Sequence, residues 1–276
     1  MSETSGAAEP RPTGLVRALG LLDATLLIVG SVIGSGIFFA PSIMAGYLHS
    51  PGLLLGLWIV GGLLTLAGAL SYAELAAAMP RAGGQYVFLS EAFSPLFGFL
   101  YGWTLLLAIN TGFVAAVAVA FAKTLGFFVP GVGEEHALVT LLGTTFSTAQ
   151  LVALVVVAVL TWLNVTGLRA GATVQNLFTL AKLSALGILV AMAIVTARGS
   201  LSNFQPVASL ALGPEGLKVG LFAALAGAMS KALFSYDSWY TVTFAAAEVK
   251  DPERNLPRPL ILGTLGSMVA YAAAVA

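Results

Sequence analysis

The sequence predicts an all-α membrane protein in which two of the membrane-spanning helices are interrupted at mid-depth. Of its 276 residues, 58% are hydrophobic and only 9% are charged, whereas soluble domains carry about 25% charged residues. Apolar segments of roughly 20 residues, the length that crosses a bilayer, follow one another along the chain. Two of them contain small and polar residues near their centres. Together these features indicate a multi-pass helical protein with an internal polar site.

Seven apolar segments are long enough to be membrane-spanning helices. We number them as spans 1 to 7, with approximate bounds 20–47, 53–79, 95–128, 150–165, 174–197, 217–247 and 259–276. The chain contains 31 glycines, as expected where transmembrane helices pack closely through small residues. Because no polar tail follows span 7, we expect a fragment or an early truncation of a longer protein.

Spans 1 to 5 and spans 6 and 7 are expected to belong to two inverted repeats. A repeat with an odd number of helices inserts its second copy upside down, so span 6 corresponds to span 1. The predicted parts are an N-terminal tail (1–18), a first five-helix repeat (19–198), an extracellular or periplasmic loop (199–216) and the first two helices of an incomplete second repeat (217–276).

The distribution of lysine and arginine predicts that the N-terminus is cytoplasmic. With that orientation the cytoplasmic segments hold Arg11, Arg17, Arg81, Arg169, Lys250, Arg254 and Arg258, and the outer segments hold Lys123, Arg198 and Lys218. An excess of basic residues marks the cytoplasmic side. We therefore predict a multi-pass protein of the cell membrane, either an inner or a plasma membrane.

The overall composition argues against several classes of function. The formal net charge is zero, which does not indicate a nucleic-acid partner. There is no cysteine, and His49 and His136 both lie in predicted loops, so we expect neither a metal nor a cofactor. No carboxylate pair or nucleophile motif supports an enzyme.

The first interruption lies in span 1, at Ile33, Gly34, Ser35 and Gly36. Glycines around a serine allow the backbone to unwind and leave N–H groups without intrahelical partners. The half-helix that follows would point its positive end at this place, which suits a carboxylate. The alternative is close helix packing, because Gly30 and Gly34 form a G-x-x-x-G pair.

The second interruption lies in span 6, at Phe234, Ser235, Tyr236, Asp237 and Ser238. Unwinding here would free carbonyl groups that accept hydrogen bonds from an ammonium group. A carboxylate site on one break and an ammonium site on the other indicate a free α-amino acid as ligand, since paired broken helices mark the binding sites of transporters. Asp237 could contact the ligand, or it could cap a half-helix that begins near Trp239.

Four other residues in or near the membrane need an explanation. Lys182, in span 5, could donate to carbonyls in place of a bound monovalent cation, or its side chain could reach the cytoplasmic interface. Lys231 could pair with Asp237 or line an outer vestibule. Asn110 could face the pocket or form a hydrogen bond between helices. Trp239 fits a packing or gate aromatic.

Four stretches of the sequence resemble the amino acid–polyamine–organocation transporters, and especially their L-type amino acid transporter branch and its bacterial relatives. The stretches are Gly30–Phe38, Ser71–Leu75 with Pro80–Tyr86, Phe178–Leu183, and Phe234–Trp239 with Glu248–Arg258. They occur in the expected order and span nearly the whole chain. Asp237–Ser238 departs from the two glycines or the Asp–Gly pair of many relatives.

The resemblance implies a LeuT-type fold of two inverted five-helix repeats, usually within twelve helices. It also implies which backbone groups hold the substrate's α-carboxylate and α-amino groups, namely those of Ile33, Ser35 and Gly36 and of Phe234, Ser235 and Asp237. Lys182 matches the lysine that stands where sodium-coupled relatives bind sodium. The partner of Lys182 on helix 8 lies beyond this chain.

We therefore expect a sodium-independent amino acid transporter, either an exchanger (antiporter) or a proton-linked permease, that works by alternating access. Its expected partners are a free amino acid, the lipid bilayer and possibly the C-terminal remainder of the same transporter. The alternative is a membrane protein that binds amino acids without transporting them, as a sensor or an assembly partner.

Overall fold

The computed structural model describes residues 17, 19–141, 144–166, 168–196 and 212–276. Nearly all of the predicted N-terminal tail (1–18) and most of the predicted loop (199–216) lie outside these residues. The described residues are mostly helical.

The described residues form twelve α-helices. Their bounds are α1 Leu21–Val32, α2 Gly36–Tyr47, α3 Pro51–Ala78, α4 Gln85–Ala92, α5 Pro95–Thr104, α6 Thr111–Leu125, α7 Thr148–Thr166, α8 Leu168–Thr196, α9 Pro214–Val219, α10 Leu221–Ser235, α11 Pro252–Asn255 and α12 Pro257–Val275. A π-helical segment, Leu105–Asn110, joins α5 to α6. Two short 3₁₀ helices, Thr241–Thr243 and Ala246–Glu248, follow α10.

Each of the seven predicted spans contains an apolar helix. Five stretches of the described residues are long and apolar enough to cross a membrane: Leu21–Tyr47, Pro51–Ala78, Pro95–Leu125, Leu177–Thr196 and Pro252–Val275. The helices of spans 4 and 6 are shorter apolar helices, Thr148–Leu163 and Leu221–Ser235. The predicted all-α, multi-pass membrane class is thus confirmed.

One small β-structure was not predicted. Strands β1 (Ala137–Leu141) and β2 (Thr144–Ser147) pair in antiparallel fashion between α6 and α7. Ala137 lies opposite Ser147, and Leu141 lies opposite Thr144. The strands are short and lie in the connection between two spans, where the hydrophobic pattern of a membrane protein gives little guidance.

The chain forms two compact units. The first contains residues 1–88 and 185–276, and the second contains residues 89–184. The two broken spans, 1 and 6, both belong to the first unit. The four-part division into repeats remains a prediction.

In the first unit, α12 packs along α3 and α1, and α10 packs against α2 and α3. Alanines spaced four residues apart on α10, Ala224, Ala228 and Ala232, are fully buried. Small side chains at this spacing let helices approach closely. This close packing brings three helix termini to the same region: the C-terminus of α10, the C-terminus of α1 and the N-terminus of α2.

Backbone hydrogen bonds tie the two broken spans together at both ends. Before α1, the Leu19 N–H donates to the Glu248 carbonyl and the Lys250 N–H donates to the Leu19 carbonyl, both at 2.9 Å. After α2, the Gly213 N–H donates to the Tyr47 carbonyl, also at 2.9 Å. The segments that flank spans 1 and 6 are therefore joined at both ends of the pair.

Candidate functional site

The first interruption separates α1 from α2. Helix α1 ends at Val32, and α2 begins at Gly36. At Ile33 the backbone leaves the helical conformation, with φ −72° and ψ 85°. The Gly34 N–H bonds instead to the Val32 carbonyl, at 2.7 Å. No side chain caps the first turn of α2, so its N–H groups point at this place without a side-chain acceptor.

The second interruption follows α10, which ends at Ser235. Residues 236–240 form turns, and Ser238 has a φ of 72°, in the left-handed region. A helix end exposes carbonyl groups that have no intrahelical partner. The place predicted for the second break thus carries the C-terminal, carbonyl-rich end of α10.

The prediction of an α-helix beginning near Trp239 is wrong. After Ser238 the chain forms the 3₁₀ helices Thr241–Thr243 and Ala246–Glu248, held by bonds such as Thr241 N–H to the Ser238 carbonyl at 3.2 Å. Left-handed backbone at Ser238 turns the chain out of the α-helical path. Asp237 therefore has no α-helix to cap, and span 6 ends as an apolar α-helix well before residue 247.

The two interruptions contact each other at Gly36 and Ser235. A Cβ atom added to Gly36 would lie 2.7 Å from the Ser235 Oγ and 3.1 Å from the Ser235 Cα. Such distances leave no room for a side chain at residue 36. The uncapped start of α2 and the carbonyl end of α10 are therefore immediate neighbours.

Tyr271, on α12, links the two interruptions. Its hydroxyl lies 2.7 Å from the Val32 carbonyl oxygen and 2.9 Å from the Ser235 carbonyl oxygen. A tyrosine hydroxyl has one proton to donate, so the two carbonyls share one donor. The side chain is fully buried. The sequence analysis did not identify this residue, although a hydroxyl-bearing ring inside the seventh apolar span is a signal that could have drawn attention to it.

Tyr236 is buried against α3 and α12. Its hydroxyl donates to the Trp58 carbonyl on α3 at 3.1 Å, and its side chain is 1% exposed. Its ring packs against those of Trp58 and Tyr271, with centroids 5.8 Å and 5.1 Å away. The side chain is thus turned toward α3 and α12.

Trp239 lies in an aromatic cluster. Its ring meets Tyr72 of α3 edge-on, with centroids 4.9 Å apart, and Tyr240 at 5.4 Å. Tyr72 also contacts Phe88 of α4, at 5.7 Å. This half-buried cluster follows the second interruption along the chain, and the role of Trp239 as a packing or gate aromatic stays a prediction.

Lys231 lies one turn before the second interruption. The Ser235 hydroxyl donates to the Lys231 carbonyl at 2.9 Å. Within the described part of the chain, no ion pair joins Lys231 to Asp237, so the pairing considered from the sequence is not seen there. Lining of an outer vestibule stays a prediction for Lys231.

Asn110 and Lys182 belong to the second compact unit, whereas the two interruptions belong to the first. Asn110 ends the π-helical segment and lines a mostly apolar cavity of about 550 Å³ between α6 and α7, which Gln150 also lines. Lys182 is half-buried on α8. Their roles, like those of the residues in the two interruptions, stay predictions.

Comparison with known proteins supports the family suggested by the sequence. The amino acid permease family model matches residues 19–275. The mouse b(0,+)-type amino acid transporter 1 is 31% identical over 271 residues, which are 98% of this chain and 52% of that protein. The mouse large neutral amino acids transporter small subunit 2 is 34% identical over 269 residues, 95% of this chain and 48% of that protein.

The chain thus spans about half the length of the curated relatives it matches. Its relatives are transporters and not enzymes, in agreement with the exclusion of an enzyme from the sequence. Two interrupted membrane spans in contact, four sequence motifs in order and a family match over nearly the whole chain lead to one conclusion: this multi-pass membrane protein belongs to the amino acid permease family.

Proposed function

We propose that the protein is a sodium-independent amino acid transporter whose substrate binds where the two interruptions meet. The contact between Gly36 and Ser235 carries this proposal. It places the positive end of one helix beside the negative end of another, within a few ångströms. A free amino acid carries the two complementary charges on neighbouring groups.

The α-carboxylate would bind at the start of α2. The first N–H groups of a helix carry a partial positive charge and bind anions. The absence of a side-chain cap at Ser35 leaves those groups available. We assign the carboxylate to the backbone at Ile33, Gly34, Ser35 and Gly36, with the N–H groups of Ser35 and Gly36 as the donors, because those of Ile33 and Gly34 already donate to the Val29 and Val32 carbonyls.

The α-ammonium would bind at the end of α10. The last carbonyl groups of a helix carry a partial negative charge. We assign the ammonium to backbone groups of Phe234, Ser235 and Asp237. The turn through Ser238 supports this assignment, because a continuing α-helix would consume the same carbonyls.

Lys182 would replace a coupling sodium ion. An ammonium group inside a membrane is costly unless carbonyls or charges partner it. If Lys182 occupies the place of the cation in sodium-coupled relatives, then transport needs no sodium. Exchange or proton-linked uptake through alternating access would then move the substrate.

We further propose that the protein lies in the cell membrane with its N-terminus in the cytoplasm. The seven basic residues assigned to the cytoplasmic segments, against three outside, support this orientation. The C-terminal remainder of the longer transporter is the expected partner that completes the walls of the site.

Proteoliposomes that contain the full natural polypeptide provide the test. We expect uptake or exchange of labelled neutral amino acids at the same rate with sodium and with choline as the external cation. Strict dependence on sodium would contradict the role of Lys182. Saturable binding without any flux would instead favour an amino acid sensor, and no binding at all would refute the site.

A further inference from the structure

We propose that Trp58, on α3, is a positioning residue for the Tyr271 hydroxyl and thereby sets the affinity for the amino acid; this rests on the function proposed above. Neither interruption lies on α3. Trp58 therefore acts on the site through the residues that it contacts, Tyr236 and Tyr271.

Three buried aromatic rings form a closed group beside the two interruptions. The centroid of Trp58 lies 5.3 Å from that of Tyr271 and 5.8 Å from that of Tyr236, and both contacts are edge-on. Tyr236 and Tyr271 lie 5.1 Å apart. Each of these rings is at most 1% exposed. In a close-packed interior, one ring cannot tilt without displacing the others.

Helix α3 fixes the group through its backbone as well. The Trp58 carbonyl accepts the hydrogen bond from the Tyr236 hydroxyl, at 3.1 Å. One turn further, a Cβ atom added to Gly62 would lie 2.9 Å from the Tyr236 Oη and 2.7 Å from the Met268 Cγ. Tyr236 is thus held by α3 at two places, the Trp58 carbonyl and the surface of Gly62. The Trp58 ring packs against Tyr271 and limits the positions that the Tyr271 ring can take.

The contribution of Trp58 to this group is its shape and not its indole N–H. Within the described residues, the Trp58 Nε1 atom is buried and has no hydrogen-bond partner. Replacement by phenylalanine would keep an aromatic ring and lose no hydrogen bond. Replacement by alanine would leave an empty space into which the Tyr271 ring can move.

A tilt of Tyr271 would break the hydrogen-bond link between the two interruptions. Its hydroxyl reaches the Val32 and Ser235 carbonyls at 2.7 and 2.9 Å, and hydrogen bonds weaken steeply as such distances and angles are lost. The spacing between the start of α2 and the end of α10 would then be less well defined. The substrate would bind more weakly to a protein that is still folded.

A double-mutant cycle on the full natural polypeptide tests this proposal. The probe is the amino acid that gives the largest thermal shift of the wild-type protein in a panel of twenty, and its affinity is measured by equilibrium binding. We expect Trp58→Ala and Tyr271→Phe each to weaken binding about tenfold, and the double variant also to weaken it about tenfold and not a hundredfold, because coupled residues do not act additively.

Two comparison variants separate positioning from general destabilisation. Trp58→Phe is expected to restore binding to within about threefold of wild type, because the ring contact remains. Leu260→Ala removes an equally buried side chain of α12, about 16 Å along the helix from Tyr271. The fold-changes in affinity caused by Leu260→Ala and by Tyr271→Phe are expected to multiply in the double variant. If Trp58→Ala does not fold, Trp58→Leu takes its place.

Multiplicative effects of the Trp58 and Tyr271 substitutions, or unchanged binding by Trp58→Ala, would overturn the positioning role while leaving the proposed function intact. If no amino acid of the panel binds to the wild-type protein, then the proposed function fails and this inference fails with it.

Discussion

Gly36 and Ser235 are in direct contact although 199 positions separate them in the sequence, so that a Cβ atom on Gly36 would stand 2.7 Å from the Ser235 Oγ. The contact joins the two places where the membrane spans are interrupted. Small residues at the two interruptions therefore allow the backbone to unwind and also allow the two helices to touch. The packing and binding interpretations of these glycines do not exclude each other.

Substitution Gly36→Ala should separate the two interruptions. Inserting a methyl group into a filled space costs about 1–3 kcal/mol, and we expect the apparent affinity for the amino acid to fall about tenfold or more. Equilibrium binding and thermal unfolding would measure both effects. Gly56→Ala on α3 is the matched control, since a Cβ atom there meets nothing within 4 Å. Equal behaviour of the two variants would contradict the importance of this contact.

Removal of the Tyr271 hydroxyl should weaken the link between α1 and α10. Tyr271→Phe keeps the ring and loses one donor shared by two carbonyls, which is worth about 0.5–1.5 kcal/mol of unfolding free energy. A larger loss is expected in substrate binding, because the two carbonyls also flank the proposed site. A variant with lower stability but wild-type affinity would restrict Tyr271 to a structural role.

Ser238 should be replaceable by glycine with a gain in stability. Its φ of 72° is a conformation that glycine adopts at little cost and other residues do not, and we expect a gain of about 0.5–1 kcal/mol after the greater chain entropy of glycine is subtracted. Ser230→Gly, inside α10, is the control and should destabilise by about 0.5 kcal/mol. Thermal unfolding in detergent provides the measurement, and a loss of stability in Ser238→Gly would contradict this expectation.

Lys182→Met should abolish transport without preventing insertion in the membrane. The substitution nearly keeps the length of the side chain and removes its positive charge. In our proposal that charge takes the place of a bound cation. Counterflow of labelled amino acid into proteoliposomes is the measurement. Lys218→Met, at an exposed ion pair with Glu215, is the control and should transport normally. Full sodium-independent flux in Lys182→Met would show that the lysine does not replace a cation.

A disulfide should form between residues 19 and 249 when both are changed to cysteine. Leu19 and Val249 are neighbours in a parallel β-bridge, a separation compatible with disulfide geometry. The chain has no cysteine of its own, so each product can be assigned without ambiguity. Mass spectrometry detects the bond. The pair Leu22→Cys with Val249→Cys, which uses a residue on an exposed side of α1, should remain reduced, and the reverse result would contradict the register.

Features that depend on local composition were predictable from the sequence. Gly34, Ser35 and Gly36 interrupt an apolar segment, and the structure ends α1 and begins α2 around them. The second interruption was also located, because Ser235 and Asp237 stand in another apolar segment. Hydrophobic length likewise predicted the spans, since the bilayer imposes it.

Features that depend on contacts between distant segments were not predictable. Tyr271 acts through carbonyls on two other helices, and no local pattern indicates which ring will reach them. The 3₁₀ path after Ser238 was missed because an apolar run with aromatic residues also fits an α-helix. The pairing of Lys231 with Asp237, one of two alternatives for that lysine, rested on sequence spacing, which does not fix the direction of either side chain.

The bonds that tie spans 1 and 6 at their ends connect main-chain atoms only, at Leu19 with Glu248 and Lys250 and at Tyr47 with Gly213. Alanine at Leu19, Tyr47, Glu248 or Lys250 would leave these bonds intact, because no side chain takes part in them. At Gly213, in contrast, an added Cβ atom would lie 2.7 Å from the Ala45 carbonyl oxygen, which leaves no room for a side chain. The pairing at these ends thus depends on the path of the backbone and not on hydrogen bonds from side chains. Backbone chemistry, such as amide-to-ester replacement, is the means to weaken it.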